Sequence, residues 1–332
     1  MSSALVATLD PIGRPLQVPA TVADDTGARF DPTDTDGLRE YYEANGYVVI
    51  TGVVPEGLCR RANDAFDREA KPDPRPFYRL SGMPERHEWT SAGFMEHGIR
   101  DVQSLSQRRH GGFRQAGLDV VSQPAVQAVT AAVLGEPPKL VQTMYFEGNP
   151  ATQPHQDTYY LDGERLGSMV AAWVACEDIA AGAGRFWICP GSHRLDLPRN
   201  EGDHNIAEHH DRYLDAVTTA MRTGPLEVRA PALARGDVLL WSARTIHGSL
   251  PTDTPERSRR SFTAHYIPAG SAFLQWQRRV VPLELATVGG IAVHHPKDQN
   301  RLRHQVRYHA ETRLPGPAAA AKRVVSARLL RR

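Results

Sequence analysis

Lysine is almost missing from this chain. Four of its 332 residues are lysine, and arginine carries nearly all the basic charge. The formal net charge is +1, so no broad field draws the protein to nucleic acid or to an anionic membrane. Cysteine is scarce too. Cys59, Cys176 and Cys189 are odd in number, scattered, and form no CxxC pair, which argues against a disulfide framework or a zinc knuckle and for reduced thiols. No apolar run approaches the ~18 residues of a membrane span. The opening MSSALVATLDPIGRPLQVPA lacks the basic stretch and apolar core of a secretory signal. The Gly-rich AAGAGRF lacks GxGxxG and leads into a strand pattern and not a helix, which argues against a dinucleotide fingerprint. What remains is the expectation of a soluble, cytoplasmic protein that handles a small molecule, with neither nucleic acid nor membrane as partner. Nothing in the pattern speaks to oligomeric state.

What is present falls into order along the chain. Residues 1–33 are rich in Pro, Gly, Ala, Thr and Asp without periodicity and read as an extended N-terminal arm. Asp34 or Thr35 then caps a helix to about Asn45, which Gly46 stops. Tyr47 to Val53 is a short β-branched strand, and PEGLCRRANDAFDREA is an amphipathic helix. Residues 71–118 are polar and punctuated, the mark of a lid or binding loop. SQPAVQAVTAAVLGE restores a helix. From Lys139 strands dominate, interrupted by an insertion at 194–225 with a helix near 209–222. A basic tail, 316–332, closes the chain. Helices first, then six or more strands with turn signals, predict a mainly β domain over 34–315 with supporting helices, a sandwich or jelly roll.

The stretch PHQDTYY carries the first chemical signal. Side chains at i and i+2 of a strand share a face, so His155 and Asp157 converge while Gln156 turns away. An imidazole nitrogen and a carboxylate oxygen suit a divalent metal. A second histidine completes the two-histidine, one-carboxylate set of non-haem iron(II) oxygenases. ARGDVLLWSARTIHGSLP offers it: Val238 to Trp241 reads as a buried strand, and His247 emerges just beyond. A second HxD, His209-His210-Asp211, sits at a helix start where i and i+2 diverge, and is read as a solvated polar face. On the strand ERSRRSFTAHYIP, alternation puts Arg259 with Ser261, Thr263 and His265. Arg260 falls with Phe262, Ala264 and Tyr266, the face that packs on helices. Arg259 is therefore the candidate to clamp a dianionic co-substrate, with Arg260 the alternative.

With PHQD, AAWVACEDIAAGAGRFWICPGSH and HGSLPTDTPERSRR in this order, the chain resembles the phytanoyl-CoA dioxygenase family of iron(II)/2-oxoglutarate-dependent oxygenases. The likeness runs from about 140 to 268, with YYEANGYVVITGVVP resembling the family's opening helix and strand. It departs in a His247-to-Arg259 spacing one residue longer than usual, and in Phe146-Glu147 where many members carry a polar or basic co-substrate contact. The resemblance implies the double-stranded β-helix, a cupin-like jelly roll. It implies Fe(II) held by His155, Asp157 and His247, with 2-oxoglutarate and O2 as co-substrates. Around 2-oxoglutarate it suggests Arg259, then Ser249, Gln142 and Trp173.

Related halogenases carry Gly or Ala where this chain has Asp157, so the reading is hydroxylation of a C–H bond, or desaturation or ring closure by the same chemistry. The substrate expected is a small polar molecule of natural-product or secondary metabolism. Contacts to it are expected from the 71–118 segment: Arg79, Arg86, His87, Trp89, His97 and Arg100. Two other readings remain open at this point: a cupin-type dioxygenase or isomerase that does not use 2-oxoglutarate, and a silent metal-binding relative.

Overall fold

The segment Pro138–Phe146 is buried at every position. A strand can be buried so completely only when both faces of its sheet are covered, and the computed structural model shows how. It describes residues 4–199, 206–314 and 316–317.

A hairpin comes first, β1 (Leu5–Leu9) against β2 (Pro15–Pro19). Helix α1 (Thr35–Asn45) follows, with the Asp34 carboxylate accepting from the Gly37 N–H. It ends at Gly46 in the left-handed region, φ 77°. A Cβ there would collide with His193 and Thr245, so only glycine fits. β3 (Tyr47–Ile50) and α2 (Glu56–Ala65, extended by a π turn at Phe66–Ala70) lead to α3 (Gln107–Val121) and α4 (Pro124–Leu134).

Besides three two-residue strands at Phe77–Tyr78, Pro84–Glu85 and Ile99–Arg100, there follow β4 (Pro138–Phe146), β5 (Leu161–Gly163), β6 (Val170–Ala175) and β7 (Phe186–Ile188), then, after α5 (Ile206–Thr223), β8 (Val238–Ser242), β9 (His247–Ser249) and β10 (Ser261–Pro268). β11 (Phe273–Gln275), β12 (Arg279–Val280), β13 (Leu285–Val288), β14 (Ile291–His294) and α6 (Leu302–Arg313) complete the chain.

The large sheet runs β13-β14-β4-β10-β6-β8-β3, antiparallel except for β14 beside β4. The period-two rule divides it cleanly. Val48, Ile50, Val174, Leu240, Phe262 and Tyr266 face outward onto Leu38, Phe66, Phe113 and Val126 of the helices. Tyr47, Val49, Trp173, Leu239 and Trp241 face inward, against Phe186 and Ile188 of β7. The opposing wall is assembled from β7-β9 and from β12-β11-β5. Two apposed sheets of this order form the double-stranded β-helix, and the space between them is the candidate site.

The structure corrects three readings of the sequence. The segment 1–33 is not an extended arm. Its hairpin docks on the barrel, with Val18 packed among Trp187, Tyr213 and Val217, and with Pro19 and Ala20 carbonyls accepting from Arg185. The 71–118 segment is not a detached lid. Phe77, Met95, Ile99, Val102, Leu105 and Phe113 are core residues, and Ile99–Arg100 pairs with β4. The strands and helix beyond residue 268 were not foreseen. Of the expected basic tail, only 316–317 fall among the described residues. No single described helix is long and apolar enough to cross a membrane, and the three cysteines are buried and free.

Candidate metal centre

PHQDTYY is not a strand. His155 makes a lone bridge to β9, and Asp157 opens a 3-10 turn, Asp157–Tyr159. Convergence survives because backbone and side-chain bonds pin the turn. The Thr158 N–H donates to Ala243 O, and the Thr158 hydroxyl bonds the buried Asp162 carboxylate. From above, Tyr213 of α5 stacks on Tyr159 at 3.7 Å and accepts from the Gln156 N–H at 2.7 Å.

His155, Asp157 and His247 each present one donor atom, all within 4.8 Å of one another. The Asp157 Oδ1 atom lies 3.5 Å from His155 Nε2 and 3.6 Å from His247 Nε2. Each imidazole is tied at its far side: His155 Nδ1 to Gln153 O at 2.8 Å, His247 Nδ1 to Thr245 O at 3.0 Å. A carbonyl only accepts, so Nδ1 carries the proton in both rings and the Nε2 lone pairs face Asp157. Burial pushes the His247 imidazole down to about 3 against the opposing pull of Asp157, which keeps that ring neutral. Burial works against ionising Asp157, but His247, His155 and His265 outweigh it and hold its carboxyl well below the usual range. Two imidazoles and a carboxylate, pre-aimed at one point with His247 and Asp157 buried and His155 half-buried, form the donor set that a divalent iron takes.

Two partners of Asp157 were missed in the sequence. Trp241 Nε1 donates to Asp157 Oδ2 at 3.0 Å, and His265 Nε2 stands 3.5 Å from the same oxygen. They occupy Oδ2 and leave Oδ1 to face the histidines. Strand alternation offered a signal for both, since His265 shares its face with Arg259 and Trp241 sits on the inward face of β8. Phe186 stacks on the His247 ring at 5.3 Å.

Arg259 is 2% exposed and lines the same cavity. Its Nε donates to Gly148 O and its Nη1 to Gly184 O, while its guanidinium lies over Phe146. Among the described residues no carboxylate pairs with it. Burial pulls it down to about 9, still protonated near neutral pH, so a cation is held in the wall with no counter-charge. Arg260 turns outward, bound to Asp67 by two 2.7 Å bonds and to Glu147 at 2.8 Å. The Phe146-Glu147 departure is thereby explained: Phe146 floors Arg259, and Glu147 serves Arg260, Lys71 and the Met95 N–H. Gln142, Trp173 and Ser249 line the cavity as well, with Ser249 Oγ accepting from the Thr152 N–H at 2.7 Å.

The cavity measures about 640 Å³. Of the residues expected to contact a substrate, Arg100 lines it, alongside Leu80 to Gly82. Arg79 does not. It is buried beneath, donating to His97 O and bonded to His87, because a buried guanidinium takes whatever acceptors the fold supplies. Nor do Arg86, His87, Trp89 and His97 line it. Arg86 is exposed, Trp89 is 46% exposed and edges His87, and His97 pairs with Glu88. His210, read as part of a solvated face, does line it, and its Nε2 meets Tyr160 OH at 2.6 Å.

A family model described as "Phytanoyl-CoA dioxygenase (PhyH)" matches residues 42–261. The peroxisomal phytanoyl-CoA dioxygenase of Bos taurus is 23% identical over 254 residues, 71% of this chain and 69% of the relative. Phytanoyl-CoA dioxygenase domain-containing protein 1 of Danio rerio is 27% identical over 253 residues, 72% and 83% of the two chains. Among solved structures, the epimerase SnoN in complex with Fe3+, alpha ketoglutarate and nogalamycin RO superposes with a TM-score of 0.55 at 20% identity, covering 79% of this chain and 99% of that one. The carbocyclase SnoK from nogalamycin biosynthesis gives 0.53 at 18% identity, over 74% and 89%. At these identities the superpositions speak to the fold, which they share.

Proposed function

The chain belongs to the phytanoyl-CoA dioxygenase family, and from that premise we propose that it is an Fe(II)/2-oxoglutarate-dependent oxygenase that hydroxylates a C–H bond of a small molecule. His155, Asp157 and His247 hold the iron, and Arg259 receives the far carboxylate of 2-oxoglutarate. When bound, iron with 2-oxoglutarate supplies the O2-activating chemistry that no protein side chain possesses.

The observation that carries this reading is Arg259, a buried cation without a carboxylate partner among the described residues, in the wall of the cavity that also holds the three-donor cluster. Leaving such a charge unpaired in a dry site is unfavourable, and a bidentate carboxylate relieves it. The protein's own part is positional. Gln153 and Thr245 carbonyls set the histidine tautomers, and Trp241 fixes the Asp157 carboxylate. Trp173 and Phe186 give the cavity an aromatic wall that keeps water from the reacting centre. Ser249 and Gln142 are polar groups at hand for the co-substrate. An aspartate at 157 fills the position that halogenation leaves open, which favours oxygenation. The natural-product setting of SnoN and SnoK supports a tailoring role in secondary metabolism.

Substrate-free succinate release in the presence of Fe(II), ascorbate and 2-oxoglutarate tests the reading. Slow turnover that disappears in His247→Ala is expected. A protein that binds iron but yields no succinate would instead be a cupin-type enzyme of another reaction, or a silent relative.

A further inference from the structure

The loop between β11 and β12 brings Trp276, and the start of β12 brings Arg279, to the cavity wall. Its backbone is unusual. Trp276 and Gln277 have φ of 52° and 61°, in the left-handed region that side chains other than glycine rarely adopt. The Trp276 N–H donates to Tyr160 O at 2.8 Å, and β11 pairs with β5, so the loop is held against the turn that carries Asp157. Such a conformation persists where the surroundings over-determine it, often at a binding site.

The charges of the cavity are unequal. Among the described residues lining it, Asp157 is the sole carboxylate, against Arg100, Arg259 and Arg279. Asp157 is taken by the histidine cluster, Arg100 is answered by Asp101 at 3.2 Å, and Arg259 belongs to the co-substrate. Arg279 is left. Its guanidinium lies 5.8 Å from the Trp276 ring centroid, half-buried, and makes no ion pair among the described residues. A cation–π contact with an indole biases the orientation of the fork, which suits it to a planar carboxylate or a phosphate. The Tyr160–His210 pair offers further polar contacts beside it.

We propose that Arg279, set on Trp276, grips an acidic group of the substrate, so that the molecule oxidised is an organic anion, a carboxylic acid or a phosphate ester. The word substrate rests on the oxygenase reading above. So does the assignment of Arg259 to the co-substrate, whereas the place of Arg279 beside Trp276 on the cavity wall does not.

Titration of the protein loaded with Mn(II) and saturating 2-oxoglutarate, air excluded so that Arg259 is already occupied, tests it through tryptophan fluorescence. The probes are benzoate, phenyl phosphate and the neutral benzamide. At least one anion is expected to give a saturable change, with benzamide weaker by about tenfold or more. The ranking of the two anions separates carboxylate from phosphate. Arg279→Gln is expected to weaken the anion by about tenfold or more, and Arg279→Lys by less. Equal affinity for benzamide, no saturable response to either anion, or undiminished affinity in Arg279→Gln overturns the proposal. Substrate-free succinate release by the unaltered protein reports on the oxygenase reading separately, so either can fail while the other stands.

Discussion

His155 and His247, far apart in the chain, are bound to each other through their backbones. Each N–H donates to the other's carbonyl, at 3.1 and 3.0 Å, and the rings lie 4.2 Å apart between centroids. The bridge sets the spacing of the two backbones, and the Gln153 and Thr245 carbonyls hold the rings from there. Substituting either ring leaves the bridge intact while removing a donor. His155→Ala and His247→Ala are therefore expected to fold and to lose Mn(II) affinity by roughly a hundredfold or more, beyond the 10–100-fold effect of an outer partner. Electron paramagnetic titration of Mn(II) checks this. Unchanged affinity in both variants would remove these residues from the metal's coordination.

Trp241 acts on the metal through Asp157. Replacing it by Phe keeps the ring packed against Phe186 and His247 but deletes the N–H that holds Oδ2. Metal affinity is expected to fall by about tenfold, with little change in thermal stability. The same titration, set beside calorimetric unfolding, separates positioning from packing.

The neighbouring arginines are expected to fail differently. Arg259→Gln should raise the KM for 2-oxoglutarate by about tenfold to a hundredfold, the worth of a charge-assisted pair. Arg260→Gln should leave that KM alone and lower stability by about 1–3 kcal/mol, because the buried Glu147 loses one of its cations while Lys71 remains. Steady-state kinetics and denaturant unfolding of both variants check the contrast.

Stability should depend on pH through His294. It is buried on β14, its Nδ1 accepts from the Glu284 N–H at 3.0 Å, and burial lowers it to about 4 from 6.5. As pH falls below 6.5 the unfolded chain takes up this proton first, so the folded state loses relative stability down to about pH 4 and no further below it. His247 adds a change of the same sign in metal-free protein. Calorimetry between pH 7 and pH 4 should show a loss on the order of 1–3 kcal/mol from His294, and a smaller total pH dependence in His294→Gln.

The inner and outer faces of β10 were legible because alternation is a local rule. Arg259 and Arg260 differ by one position and end on opposite sides of the sheet. PHQD, HGS and the arginine pair were legible as chemistry because few other functions need those donors at those spacings. The hairpin at 5–19 was not. Proline, glycine and aspartate interrupt its apolar residues, and the partners that order it, Arg185 and Trp187, lie at a distant strand. His210 was misread for the same reason: nothing local says that α5 docks with Tyr213 on Tyr159 and so turns His210 inward. Within the polar 71–118 segment only Arg100 of the expected contacts reaches the cavity, because Arg79, His87 and His97 are engaged with one another, with Glu88 and with the backbone.

The most direct measurement is anomalous diffraction at the iron edge from crystals of the protein loaded, without oxygen, with Fe(II) and 2-oxoglutarate. The account requires one peak within bonding distance of His155 Nε2, His247 Nε2 and Asp157 Oδ1, with the far carboxylate of 2-oxoglutarate on Arg259. A peak elsewhere, or an Arg259 that meets no carboxylate while the metal is bound, would contradict it.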